Sequence, residues 1–235
     1  MTFLDIKNEL KKHIVKDKAR TLQRFFKTGK GEYAEGDVFI GVMVPSIRKV
    51  AKKYTDLSVS ETLTLLRSKI HEERLTALFI LLAKYKNGDE KLKDRIYKLY
   101  LANTKYINNW DLVDLTAEHI VGSYLIGRSK QPLYALAKSN NLWEKRISII
   151  STFAYIKLGE SKETFKIAKM LLHDEHDLIH KAVGWMLREV GKRVSCDEEL
   201  IFLKKYYKTM PRTMLRYAIE RFSEPLRKKI LEGKL

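Results

Sequence analysis

The sequence predicts an all-α fold, a curved superhelix (solenoid) of HEAT-like antiparallel helix pairs. Three observations carry this expectation. Amphipathic stretches follow one another almost without pause, joined by short connectors of Asp, Asn, Ser or Gly. No convincing apolar–polar alternation marks a strand. Helices starting near 70, 109, 142 and 177 recur at roughly forty residues, the HEAT-like period, although the units share little sequence. A chain of 235 residues can enclose a continuous core, and residues 1–235 are read as one domain.

In order, the apolar period predicts helices over 2–15, 17–27, 45–54, 58–67, 70–86, 89–102, 109–126, 131–138, 142–158, 162–172, 177–193, 197–208, 211–221 and 224–232. The four prolines (45, 132, 211 and 225) each sit where a helix can start. There the missing N–H has no intrahelical acceptor to lose. Between the second and third helices, Thr28–Asp37 opens a stretch with four glycines from 29 to 41. It lacks the Gly-Lys-Ser/Thr ending and the preceding strand of a phosphate loop, and it carries Glu32, Glu35 and Asp37. It reads as a connector.

Composition points to a polyanionic partner. Forty-six Lys and Arg against twenty-nine Asp and Glu give +17. Residues 1–30 carry nine basic and three acidic side chains, and 181–235 carry fourteen and seven; the middle contributes only +4. Charge gathered at both ends suits a curved body gripping an extended anion; solubility charge on a lysine-rich protein is the plainer account. The single cysteine, Cys196, excludes an internal disulfide, fits a reducing compartment and reads as a helix-end residue. Lys7, Lys11 and Lys12 interrupt any leader-like apolar run, and no run approaches a membrane span. A cytoplasmic, nucleoid-associated protein is expected.

Three helices carry the residues of interest. In 109–126, Val113, Ala117, Ile120, Val121 and Tyr124 form the apolar stripe, and Trp110 and Asp114 stack one turn apart on its shoulder. A carboxylate there needs a partner or a use for its charge; an N-terminal acid favoured by the helix dipole, beside a core Trp, is the simpler reading. In 142–158, Arg146 falls within the stripe of Trp143, Ile147, Ile150, Phe153 and Ala154. A guanidinium so placed must meet an acceptor, and Asp114 is the candidate, as a register-fixing pair if nothing more. In 177–193, Lys181, Trp185, Arg188 and Lys192 lie opposite the stripe of Ile179, Val183, Met186, Leu187 and Val190. A large aromatic among cations either stacks on a sugar or base whose phosphates the cations meet, or is covered by another helix. Of His173, His176 and His180, only the last two share a helical face, so no metal site is expected. No Ser-His-Asp arrangement is legible.

Taken together, these helices resemble the AlkD-type DNA glycosylases of the DNA alkylation repair family. The resemblance rests on Trp110-x-x-x-Asp114, on Asn141-Leu142-Trp143-Glu144-Lys145-Arg146 and on Lys181-Ala182-Val183-Gly184-Trp185-Met186-Leu187-Arg188-Glu189, with Gly41–Arg48 similar to the family's N-terminal part. It implies a catalytic role for Asp114, lesion-lining roles for Trp110 and Trp185, and a DNA-backbone contact for Arg146. It also implies cationic N3- and N7-alkylated purines in double-stranded DNA as substrate, no base flipping, and no cofactor. Phe25 and Phe26 stand in the region where members of the family offer a tyrosine. Lys181, Arg188 and Lys192 are expected to meet phosphates, and a monomer suffices. The rival expectation is a non-catalytic binder of distorted or branched DNA; a third is a HEAT-type protein scaffold.

Overall fold

A computed structural model describes residues 1–235. The structure is all-α; its only extended pairings are two isolated bridges, Ile14 with Val42 and Val38 with Ile70. Two compact units divide the chain, Met1–Leu112 and Val113–Leu235.

The first unit contains α1 (Phe3–Lys11), α2 (Lys18–Phe25), α3 (Val44–Lys53), α4 (Val59–Leu66), α5 (His71–Asn87) and α6 (Glu90–Ala102). Helix α5 is its centre, packed by α3, α4 and α6. That position explains its sequence: Leu75, Ala77, Leu78, Ile80 and Leu81 are all buried, so apolar residues surround the helix and leave no polar stripe. The first turn is different in kind. His71, Glu72, Glu73 and Arg74 are charged or titratable and all buried.

Helix α7 (Trp110–Asp114) contains the division between the units. In the second unit follow a π-helical turn (Glu118–Gly122), α8 (Ser123–Leu125), α9 (Gln131–Ala137), α10 (Leu142–Ser151), α11 (Phe153–Ile156), α12 (Lys162–Met170), α13 (Asp177–Arg193), α14 (Cys196–Tyr206), α15 (Arg212–Ala218) and α16 (Glu224–Leu231). Here α13 takes the central place, packed by α10, α12, α14 and α15. Its predicted stripe, Ile179, Val183, Met186, Leu187 and Val190, is buried throughout.

The predicted helices are present, with three differences. The helix expected over 2–15 ends at Lys11, and Ile14 pairs with Val42 instead. The stretch 109–126 is not one helix: it leaves α geometry at Leu115–Thr116 and resumes with the π turn. Helix α10 crosses here so closely that a Cβ on Gly122 would lie 2.2 Å from the Ser151 carbonyl oxygen. The periodicity gave no warning, because Val113, Ala117, Ile120 and Val121 are buried on either side of the break. The stretch 142–158 is likewise interrupted at Thr152, whose hydroxyl donates back to the Ile149 carbonyl at 2.7 Å. Pro45, Pro132 and Pro225 lie in the first turns of α3, α9 and α16, and Pro211 caps α15. The Thr28–Asp37 connector is a run of turns. Its acids hold its own backbone: Glu32 accepts from the Gly29 N–H at 2.8 Å and Glu35 from the Gly31 N–H at 2.9 Å.

Gly184 sets the α13–α15 distance, since a Cβ there would sit 2.4 Å from the Met214 carbonyl and 2.6 Å from the Tyr217 Cβ. Replacing it with Ala gains up to about 1 kcal/mol in helix propensity. The obstructing atoms include backbone, however, and parting the two helices costs about 1–3 kcal/mol. Gly184→Ala is therefore expected to lower the midpoint of thermal unfolding, read by circular dichroism; an unchanged or higher midpoint contradicts this packing.

Candidate nucleic-acid site

Asp114, at the C-terminal end of α7, meets Arg146 of α10 in a bidentate pair: Arg146 Nε donates to Oδ1 at 2.8 Å and Nη2 to Oδ2 at 2.7 Å. Nη1 donates to the Leu178 carbonyl at the start of α13. Arg146 is 4 % exposed, while the Asp114 side chain keeps 14 %. The guanidinium on an apolar stripe thus has the partner that its position demands. The backbone-phosphate contact that resemblance implies for Arg146 finds that side chain already occupied, and the pair presents an oriented carboxylate.

Trp185 is half-buried on α13, its ring tilted against Phe153 with centroids 6.1 Å apart. Phe153 backs one part of the indole and the rest remains accessible, so another element covers it only in part. Phe153 is itself flanked by Lys157 at 4.7 Å and Arg193 at 5.2 Å from its centroid, a cation–aromatic cluster that the sequence reading did not single out. Of the cations on the Trp185 face, Lys181 pairs with Asp177 at 2.7 Å, one turn back. Arg188 pairs with Glu220 and reaches Glu189 at 3.5 Å. Lys192 is exposed. The histidines hold local structure: His176 Nδ1 accepts from the Leu178 N–H at 3.1 Å, capping α13, and the His180 ring contacts the Asp174 carbonyl. Cys196 is exposed at the first position of α14.

In the N-terminal unit, Trp110 belongs to an aromatic column. It stacks on Phe26 (5.1 Å, 17°), Phe26 on Phe39 (4.8 Å, 19°), and Phe39 on His71 (4.3 Å, 22°). Phe25 stands edge-on to Trp110 at 6.0 Å and is 63 % exposed, so the pair forms an aromatic surface, as a stacking platform requires. Beneath the column lies a buried charge cluster. His71 Nδ1 is 2.9 Å from Asp37 Oδ2 and Nε2 is 2.8 Å from Asp111 Oδ2. Arg74 donates to the other Asp37 oxygen at 2.6 Å. Burial pulls the His71 pKa down, but the two carboxylates outweigh it and raise it to about 9. Burial works the opposite way on Asp37, yet His71 and Arg74 bring its pKa below the ordinary value.

The profile of the DNA alkylation repair enzyme family matches residues 6–222. The chain belongs to that family. Its role is therefore in repair of alkylated DNA, with DNA as partner. Among solved structures, it is similar to a predicted DNA alkylation repair enzyme from Enterococcus faecalis, at 14% identity and a TM-score of 0.67, covering 89% of this chain and 96% of that one. At this identity the likeness establishes the fold alone. No curated protein matches significantly. No helix is long and apolar enough to cross a membrane.

The raised His71 pKa carries a stability consequence with a defined sign. A group held at about 9 when folded, against about 6.5 unfolded, binds its proton more tightly in the native state. Its contribution is complete below about pH 6.5 and is lost as pH rises toward 9. The His71 share of the fall in stability between these limits, read by urea unfolding, is thus expected to be about 3 kcal/mol. Burial pushes Glu199 up to about 8, so its own effect overlaps this window. The decisive comparison is accordingly the slope that disappears in His71→Gln; an unchanged slope rules out a charged His71 in the fold.

Proposed function

We propose that this family member is a monofunctional DNA glycosylase hydrolysing the N-glycosidic bond of cationic N3- or N7-alkylated purines in duplex DNA, without base flipping. Asp114 carries the reading. It is an anionic carboxylate oriented through both oxygens by a guanidinium that does not lose its proton, with residual exposure on a chain of the alkylation repair family.

The chemistry asks little of the protein. An alkylated purine already bears positive charge, so the glycosidic electron pair passes to the base nitrogen and the base leaves neutral, with no general acid. The sugar is left with oxocarbenium character, which a fixed carboxylate stabilises as a water molecule adds at C1′. The water's surplus proton passes to the carboxylate or to solvent. On this reading Asp114 is the catalytic residue and Arg146 its positioning residue. Trp110 and Trp185 offer aromatic faces to the cationic nucleotide. Lys181, Arg188 and Lys192 meet phosphates, the first two by exchanging the carboxylate partners that they hold in the free protein. No lysine Schiff base is needed, and a monomer located with the nucleoid is sufficient.

A second reading has its own observation. The Arg146 guanidinium takes both oxygens of Asp114, an arrangement that also serves a purely structural pair in a non-catalytic binder of distorted or branched DNA. Release of 7-methylguanine and 3-methyladenine from methylated duplex DNA separates the two. Wild type is expected to release both, and Asp114→Asn to reduce the single-turnover rate by at least about 10²-fold, with folding checked by thermal melt. Equal release by the variant removes Asp114 from catalysis. No release by wild type, with salt-steep duplex binding, favours the binder; absence of binding at physiological salt leaves a protein scaffold.

A further inference from the structure

The N-terminal unit contains a cavity of about 320 Å³ at the head of α5, close to the segment that leads into α7. Arg67, Lys69, Arg74, Lys105, Tyr106 and Asn108 contribute to its wall. Nothing in the glycosylase chemistry above uses it.

Its electrostatics are basic on balance, with four cations in the wall against two acids. The acids in the wall are Asp37 and Glu35. Asp37 is engaged by His71 and Arg74, and Glu35 accepts from the Gly31 N–H. The side chains of Arg67, Lys69 and Lys105 are exposed. Arg67 Nε donates to the Asn103 side-chain Oδ1 at 3.4 Å, and Lys105 lies 4.9 Å from the centre of the Tyr106 ring. Arg74, 3 % exposed, donates through Nη1 to the Ser68 and Lys69 carbonyls at 3.2 Å. Its Nε has no partner within the protein, and neither has Asn108 Oδ1. Both atoms are shielded from solvent, and buried polar atoms are rarely left so. The volume is at the small end for a ligand cavity and adequate for a hydrated tetrahedral anion.

The geometry points to a phosphate-group site, occupied by a backbone phosphate of the DNA strand that this protein engages. Arg67, Lys69 and Lys105 supply the charge-assisted donors. The position ties it to the rest of the unit. Asn108 is two residues before Trp110, and Arg74 and Asp37 belong to the cluster beneath the Trp110 column. A phosphate held here therefore lies along the elements that fix the aromatic surface. The assignment of the strand as occupant rests on the DNA-repair reading; the site's affinity for phosphate does not.

Two measurements on the full chain test it. Equilibrium binding of an undamaged duplex across a salt series is expected to give, for Arg67→Gln/Lys105→Gln, a log K against log salt slope shallower by about 1 than wild type. The expected affinity loss at low salt is several-fold. Glu35→Gln should shift affinity the other way. Separately, inorganic phosphate should move the amide resonances of Lys69, Tyr106 and Asn108 saturably in wild type and not in the double variant. A wild-type slope in the folded double variant overturns the strand as occupant, even where phosphate still binds. Absence of saturable phosphate shifts together with an unchanged slope overturns the site itself. Neither readout depends on base release, so failure of the glycosylase reading is visible separately in the excision assay.

Discussion

Four consecutive titratable side chains, His71 to Arg74, enter the protein interior together at the head of α5, and the N-terminal unit is arranged to make that tolerable. Burying an unpaired charge costs several kcal/mol, and removing one partner from a buried pair costs about 3–5 kcal/mol. Each member here is met. Glu72 accepts from the backbone N–H groups of Ile40, Gly41 and Val42 at 3.0, 2.8 and 3.1 Å. Glu73 takes Ser68 and Lys7. His71 bridges Asp37 and Asp111, and Arg74 closes on Asp37. The partners come from α1, the connector before α3, the turn between α4 and α5, and the start of α7, so satisfying one helix turn ties down four other segments. The acids also lie in the first turn, where the helix dipole favours negative charge.

The column above this cluster follows from it. A protonated His71 between two carboxylates presents its imidazolium face to Phe39, a cation–aromatic contact that orders Phe39, then Phe26, then Trp110. Trp110 is thus held by stacking on one side while remaining partly exposed. The exposed Phe25 ring belongs to the same platform.

The helices were legible in the sequence because apolar periodicity reports burial, and burial organises this chain almost throughout. That Arg146 needs an acceptor was legible for the same reason, since a guanidinium within an apolar stripe announces that a partner exists. The resemblance pointed to phosphate, and in the free protein Asp114 takes that place. The α5 cluster was not. A run of four titratable residues occupies every direction around a helix, so it looks like a solvated helix start, and its partners lie 30 to 40 residues away in sequence. The break in 109–126 was hidden because the buried positions keep their spacing across the π turn. Pairing also escaped the wheel: Lys181 and Arg188 looked like free cations opposite the stripe, yet Asp177 and Glu220 reach them, one from the preceding turn and one from the residues after α15.

On the proposed reading, the closeness of Arg146 to Asp114 bears directly on how the carboxylate acts. A guanidinium beside a carboxylate nearly cancels its charge at a distance, so the pair attracts little from afar. Diffusional attraction of DNA must come from the unbalanced lysines and arginines elsewhere. Near the pair the balance differs, because a cation in contact with the carboxylate lies closer to it than to the guanidinium, and the two charges no longer cancel there. An oxocarbenium-like sugar is a short-lived, localised cation, and a carboxylate that had to rotate or shed water to meet it would raise the barrier by that reorganisation. Asp114, fixed through both oxygens, has none to undergo. The arrangement thus gives up long-range attraction, which the rest of a +17 chain supplies in excess, for a preset local field where charge develops.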